Sequence, residues 1–289
     1  MKRWVVVLAL ASTGAASGGT RLALLVPPTG FVEINAGPAG GTVWQGLIPN
    51  RIVPTLRRPS AVYLPPHASP THRYPVLYLL HGFRGSPSSY VYSLNFASFA
   101  DAAITSGAAP PFIAVMPVAG KPAYDGEWAG PWERYLVRDV VPWTDALFPT
   151  VASRRSRALA GLSAGGYGAI DIGLRHPRLF GTLESWSGYF RPYRDGPLRY
   201  ANRAELAAHD PTLLTTTEAP QLRRLGVRFF LSCGSTHDRG NLAFTLAFDR
   251  VLNGLGLRHR LWLGPGGHDG RFWRKQLPAA LQYAFPQAA

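Results

Sequence analysis

The stretch Arg157-Ala158-Leu159-Ala160-Gly161-Leu162-Ser163-Ala164-Gly165-Gly166-Tyr167-Gly168-Ala169-Ile170 constrains the fold more than any other part of this chain. An apolar run of small side chains enters a Gly-Leu-Ser-Ala-Gly turn, and a run with helical character leaves it. The glycines permit a strained turn, because a Cβ beside the serine would clash. The turn presents the Ser163 hydroxyl at a helix N-terminus, whose dipole favours developing negative charge. Alone the pentapeptide is weak: chance gives roughly 0.2 matches in a chain with this glycine and serine content. The strand–turn–helix setting is what makes it a nucleophile elbow rather than a Gly/Ser helix-entry turn.

The rest of the chain extends the same alternation. Apolar runs predict strands over 42–48, 60–64, 76–80, 112–117, 157–161, 182–186, 227–233 and 259–263, several of them continuous, as in a sheet buried on both faces. Helices are expected over 87–104, 132–147, 164–175, 241–255 and 271–283. Strand–helix alternation implies an α/β fold with a mostly parallel, doubly wound sheet. The first two strands have no helix between them, which predicts an antiparallel N-terminal edge. In such sheets the site lies at the carboxyl ends of the strands.

Composition sets the outer limits. At 289 residues, 46% hydrophobic and 16% charged, the chain suits one large globular domain. Lys2 and Arg3, the apolar run Trp4 to Ala11 and the small residues that follow read as a secretory signal peptide over 1–16, cut after Ala16. That leaves a single domain over 17–289 and an exported protein; the competing reading is an ordinary first strand. The apolar run is too short to span a bilayer. Residues 186–224 lack strong periodicity and are a candidate lid. The net charge of +14 permits association with anionic cell-surface material, or reflects an Arg-rich composition on a solvated surface. No Lys/Arg block with interleaved aromatics appears, so nucleic acid is not an expected partner. Cys233, the single cysteine, sits in an apolar run and reads as a buried strand thiol.

A serine hydroxyl needs a base. His268, in Gly266-Gly267-His268-Asp269 directly after the last strand, is placed to reach the elbow. The acid belongs after the preceding strand, where Asp238 stands; the order Ser, Asp, His suits this topology. Asp238 has a competing reading as a helix N-terminal acid. His67, His72, His176, His209 and His259 read as surface residues. The loop Leu80-His81-Gly82-Phe83-Arg84-Gly85 follows the third strand. Its Phe83 N–H, with that of Ala164, would face a developing oxyanion, and His81 reads as a structural residue shaping it. Arg84, Trp128 and Trp186, at strand ends, are candidate substrate contacts beside Tyr124, Asp125, Glu127, Tyr189 and Phe190.

These motifs, with Tyr63-Leu64-Pro65-Pro66, Tyr78-Leu79-Leu80-His81-Gly82 and Trp132-Glu133, resemble the putative-esterase family of α/β-hydrolases. That group includes esterase D, enterochelin-esterase-like proteins, feruloyl esterases and mycolyltransferases. The resemblance runs from about Gly41 to the C-terminus and implies the α/β-hydrolase fold, a Ser163–Asp238–His268 triad and a Phe83/Ala164 oxyanion hole. Family members often carry the acid at the position held here by His237, one residue before Asp238. The expected activity is hydrolysis of a small-molecule, lipid or sugar ester through an acyl-enzyme, with no metal or organic cofactor. The alternatives are acyl transfer to a sugar or glycolipid hydroxyl, and a catalytically silent binding protein.

Overall fold

The computed structural model describes residues 25–55, 57–120 and 128–285. The expected signal peptide, and Tyr124, Asp125 and Glu127, lie outside the described residues.

Nine strands form one sheet: β1 Val32–Ala36, β2 Thr42–Gly46, β3 Ser60–Leu64, β4 Val76–Leu80, β5 Ile113–Met116, β6 Arg157–Leu162, β7 Thr182–Trp186, β8 Arg228–Gly234 and β9 His259–Gly264. Their order is β1-β2-β3-β5-β4-β6-β7-β8-β9. β1, β2 and β3 pair antiparallel and β3 pairs antiparallel with β5; from there to β9 every pairing is parallel. The expected antiparallel edge is present, and one strand wider than predicted. β1 escaped prediction because it is half exposed and its pairing with β2 shifts register between Glu33 and Asn35.

Helices cover both faces: α1 Phe96–Thr105, α2 Pro131–Tyr135, α3 Val141–Leu147, α4 Ala164–Arg175, α5 Arg203–Ala207, α6 Pro211–Leu225, α7 Arg239–Gly254 and α8 Gly270–Ala284. Alternation along β4 shows how the layers are built. Val76, Tyr78 and Leu80 enter a core with side chains of α4, α6 and α7, while Leu77 and Leu79 enter a second core with α1 and α8. All five are fully buried.

Two predicted helices are interrupted. The stretch 87–104 divides into a π-type turn, Ser89–Ser93, and α1, because Asn95 adopts a left-handed φ of 54° at the start of α1. The stretch 132–147 is widened by a π-type turn, Leu136–Val140, just before Pro142, whose ring removes a backbone donor. The region expected to be aperiodic contains α6, which packs on α4 and α7 in the helical layer. Its buried stripe is Pro211, Thr215, Ala219 and Leu222, correct in spacing but weak in hydrophobicity. The stretch before it holds the short α5.

The sheet also buries ionisable groups. His209 is not a surface residue: it sits 2.7 Å from the buried carboxylate of Asp171. His176 bonds the buried Glu133, and His259 bonds Asp249. Glu184, in the middle of β7, accepts from the Trp186 indole at 3.0 Å, and burial pushes its pKa up to about 8. The folded state therefore holds a proton on Glu184 that the unfolded chain releases above about pH 4.5. Stability from this group is present at low pH and lost as pH rises toward 8. Buried His81, pushed down to about 4, has the opposite slope between about pH 4 and 6.5. The Glu184 effect should therefore be clearest from about pH 6.5 to 8. Chemical denaturation across that window should show stability falling with pH, and Glu184→Gln should flatten the slope. An unchanged slope would mean Glu184 is ionised in the folded protein.

Candidate active site

The chain leaves β4, builds β5 on one side of it and then crosses to build β6 on the other. The carboxyl end of β4 is therefore a topological switch point, where open α/β sheets leave a crevice. The loop after β4 and the turn after β6 both open there.

The turn after β6 is sharp. Ser163 has φ 56° and ψ −122°, a sparsely populated conformation for a residue with a side chain. Its backbone is held at both ends: Ser163 N–H donates to the Trp186 carbonyl at 2.9 Å, and its carbonyl accepts from Gly166 and Tyr167 at 2.8 and 3.1 Å. Gly165 is required by contact, since a Cβ there would lie 1.9 Å from the Leu80 carbonyl oxygen. The N-terminus of α4 is thereby pressed against the end of β4.

His268 and Asp238 arrive on neighbouring loops. The β8–β9 ladder ends at Gly234 and Gly264, and an isolated parallel bridge between His237 and Gly267 adds one more rung. This rung puts Asp238 beside His268. His268 Nε2 lies 2.9 Å from Ser163 Oγ, and His268 Nδ1 lies 3.0 Å from Asp238 Oδ2. Asp238 occupies the N-cap position of α7, yet its side chain makes no cap hydrogen bond. The carboxylate is turned toward the imidazole. His237 is spent on the bridge and is exposed.

The carboxylate is supported by residues that sequence reasoning missed. Asn241 Nδ2 donates to Asp238 Oδ1 at 2.8 Å. The Trp273 indole donates to Ser187 Oγ at 3.2 Å, and the Trp273 ring stands edge-on to His268, centroids 5.1 Å apart. Burial disfavours the Asp238 charge, but hydrogen bonds from His268, Ser187 and Asn241 with the imidazole charge outweigh it and hold the carboxyl below its usual range. Buried Cys233, 3.5 Å from Asp238 Oδ2, has its thiol pushed up to about 12 by burial and the adjacent carboxylate, so it is not a nucleophile.

The loop after β4 presses against the serine. A Cβ on Gly82 would meet Leu162 Cδ1 at 2.8 Å and Ser163 Cβ at 3.1 Å. Phe83 follows Gly82 in this loop, while the Ala164 N–H, first donor of α4, has no carbonyl of its own helix to serve. His81 is buried with its ring spanning the loop: Nδ1 donates to the Gly82 carbonyl at 2.9 Å, and Nε2 accepts from the Ala119 N–H at 3.1 Å. Burial holds it neutral, pushed down to about 4, so it scaffolds the loop and is not a second base.

The expectations for Trp128 and Trp186 as substrate contacts are corrected. Both are fully buried and present no surface to a ligand. Trp128 donates its indole N–H to the His81 carbonyl at 2.9 Å and packs against Gly168, propping the loop from behind. Trp186 faces Tyr90 and Glu184, and contributes to the elbow through its carbonyl. Phe190 is also core, stacked on Phe248. Phe83 and Arg84 do remain exposed, with the guanidinium 5.2 Å from the ring centroid. Among the described residues no cluster of metal-ligating side chains occurs.

A hydroxyl hydrogen-bonded to an imidazole that is backed by a carboxylate can deliver an oxygen nucleophile to an acyl carbon. The chain is similar to proteins named esterases. The chain is 30% identical over 228 residues to a curated esterase of Mycobacterium tuberculosis (strain H37Rv), covering 68% of this chain and 48% of the relative. It is 36% identical over 121 residues to an endo-1,4-beta-xylanase/feruloyl esterase of Xylanibacter ruminicola, covering 40% of this chain and 17% of the relative. The chain thus spans about half the length, or less, of the curated relatives it matches. Among solved structures it resembles a ferulic acid esterase (TM-score 0.73, 22% identity, 86% of this chain and 98% of that one). It also resembles an S-formylglutathione hydrolase from Agrobacterium tumefaciens (TM-score 0.67, 16% identity, 89% and 98%). These likenesses are to α/β-hydrolase folds. The family described as Putative esterase matches residues 55–284, and the chain belongs to that family.

Proposed function

We propose that this domain is a serine-dependent carboxylic ester hydrolase working through an acyl-enzyme. The observation that carries the reading is the continuous relay from Ser163 Oγ to His268 Nε2 at 2.9 Å and from His268 Nδ1 to Asp238 Oδ2 at 3.0 Å. In the first half-reaction His268 Nε2 takes the Ser163 proton as Oγ bonds to the ester carbonyl carbon. The carbonyl oxygen becomes an oxyanion facing the Phe83 and Ala164 N–H groups. Collapse breaks the bond to the alcohol oxygen, which leaves with the proton from His268. Water then repeats the sequence, releasing acid and restoring Ser163. Asp238 holds the Nδ1–H tautomer and stabilises the imidazolium.

Relatives and neighbours named for feruloyl and ferulic acid esters support a small organic ester as substrate. The exposed Phe83 ring beside the oxyanion loop offers an apolar face to an acyl or aryl group.

Purified Ser163→Ala should lose both p-nitrophenyl ester turnover and fluorophosphonate labelling while keeping its melting temperature. Near-normal turnover would remove Ser163 from the mechanism. Assays with an added sugar or alcohol acceptor read the second half-reaction: free acid as the main product supports hydrolysis, and transfer products in its place would reassign the enzyme to acyl transfer.

Asp238→Asn should lower turnover by a factor on the order of 10³–10⁴, by analogy with the equivalent change in a serine-protease triad. Its melting temperature should change little. A variant with normal rate and a lower melting point would return Asp238 to a purely structural role at the start of α7.

A further inference from the structure

The opposite end of the sheet carries a second, unassigned recess. Arg154 and Arg155 lie in the short turn Arg154–Ser156 that leads into β6, Thr182 opens β7, Arg228 opens β8 and Arg258 immediately precedes β9. With Leu225 and Gly226 from the end of α6, they enclose a cavity of about 240 Å³. All of these strand positions are amino-terminal, whereas Ser163, Asp238 and His268 follow carboxyl ends. A five-residue strand separates the two levels by roughly 13 Å or more.

The recess gathers four guanidinium groups, and no acidic side chain lines it. Arg228, 8% exposed, donates to Thr182 Oγ1 at 2.9 Å and to the Tyr283 carbonyl at 2.6 Å. Arg154 donates to the Pro177 carbonyl at 3.3 Å and to the Leu225 carbonyl. Every one of these acceptors is neutral. Arg155 and Arg258 are exposed, and among the described residues neither side chain has a hydrogen bond or ion pair. The guanidinium groups repel one another: Arg155 acts on Arg154, and Arg258 on Arg228, in the direction that disfavours the charged form. The carboxyl that acts on Arg228 is Glu184, whose own charge is disfavoured by burial. Two arginines are anchored through neutral acceptors and two are free at the mouth. This is the arrangement that a multivalent oxyanion completes, since guanidinium forks pair with phosphate oxygens.

We propose that this recess is an anion-binding site for a phosphoryl group of an anionic polymer, docking the domain with its catalytic face free. A polymer is favoured over a membrane surface by shape and by chemistry. The site is concave, and none of the exposed large hydrophobic residues lines it, whereas membrane-resting faces insert apolar side chains.

The test uses the intact protein with three probes: inorganic phosphate, linear polyphosphate and phosphatidylglycerol vesicles. Saturable binding of phosphate, and tighter binding of polyphosphate, is expected. The double variant Arg155→Gln/Arg258→Gln should weaken polyphosphate binding by about tenfold or more. The charge-matched pair Arg138→Gln/Arg250→Gln, exposed elsewhere on the surface, should weaken it by less than about twofold. Turnover of a neutral p-nitrophenyl ester should be the same in all three proteins. Equal losses in the two double variants would make the binding a property of the +14 net charge and overturn the proposal. So would no saturable phosphate binding, or binding to vesicles alone.

Discussion

The contact between the end of β4 and the start of α4 decides the rest of the site. Gly165 lies where a Cβ would fall 1.9 Å from the Leu80 carbonyl oxygen, and Gly161 lies where one would fall 2.1 Å from the Gly165 carbonyl oxygen. Only glycines permit this approach, and only this approach forces the chain through the strained backbone at Ser163. Strain of that kind costs on the order of 1–3 kcal/mol and persists where the surroundings over-determine it. Here they do so through the Trp186 carbonyl before the turn and the Gly166 and Tyr167 amides after it. The serine hydroxyl is therefore presented by backbone geometry, and the histidine has only to reach it.

A second layer of the site is held by neutral groups. The His81 ring, the Gly82 carbonyl, the Ala119 amide and the Trp128 indole fix the loop after β4 through hydrogen bonds between uncharged partners. With His81 pushed down to about 4, that scaffold does not titrate near neutral pH.

The sequence revealed what depends on backbone pattern. Continuous apolar runs marked the central strands, and the glycine-flanked serine, the histidine after the last strand and the acid before it, chosen by their order, are the side chains the fold brings within hydrogen-bond reach of one another. What stayed hidden depends on side-chain direction. Trp186 ends β7 and Trp128 lies between β5 and α2, positions where ligand contacts are expected, but both side chains are buried; the Trp128 indole N–H donates to the loop after β4, and the Trp186 carbonyl holds the elbow. Asn241 and Ser187 carry no motif, because their value lies in hydrogen bonds that exist only after α7 and β7 have been placed. α6 was missed since threonine and alanine occupy half of its buried stripe. β1 was missed because a half-exposed, irregularly paired edge strand lacks a clean alternation.

The bridge between His237 and Gly267 has a further consequence. Acid and base are joined by a rung of the ladder, so the spacing between them is inherited from β8 and β9 in the way a hinge inherits its line from two plates. Side chains at Thr236 and Pro265 are then free to vary in shape and charge without moving the relay, whereas Ser235 Oγ donates to the Gly264 carbonyl at 3.0 Å and ties the loop to β9. A single residue inserted into or deleted from either loop is a different kind of change: it breaks the rung and separates Asp238 from His268. On this account the two loops tolerate variation in chemistry but not in length, and their length is what couples the edge of the sheet to its centre.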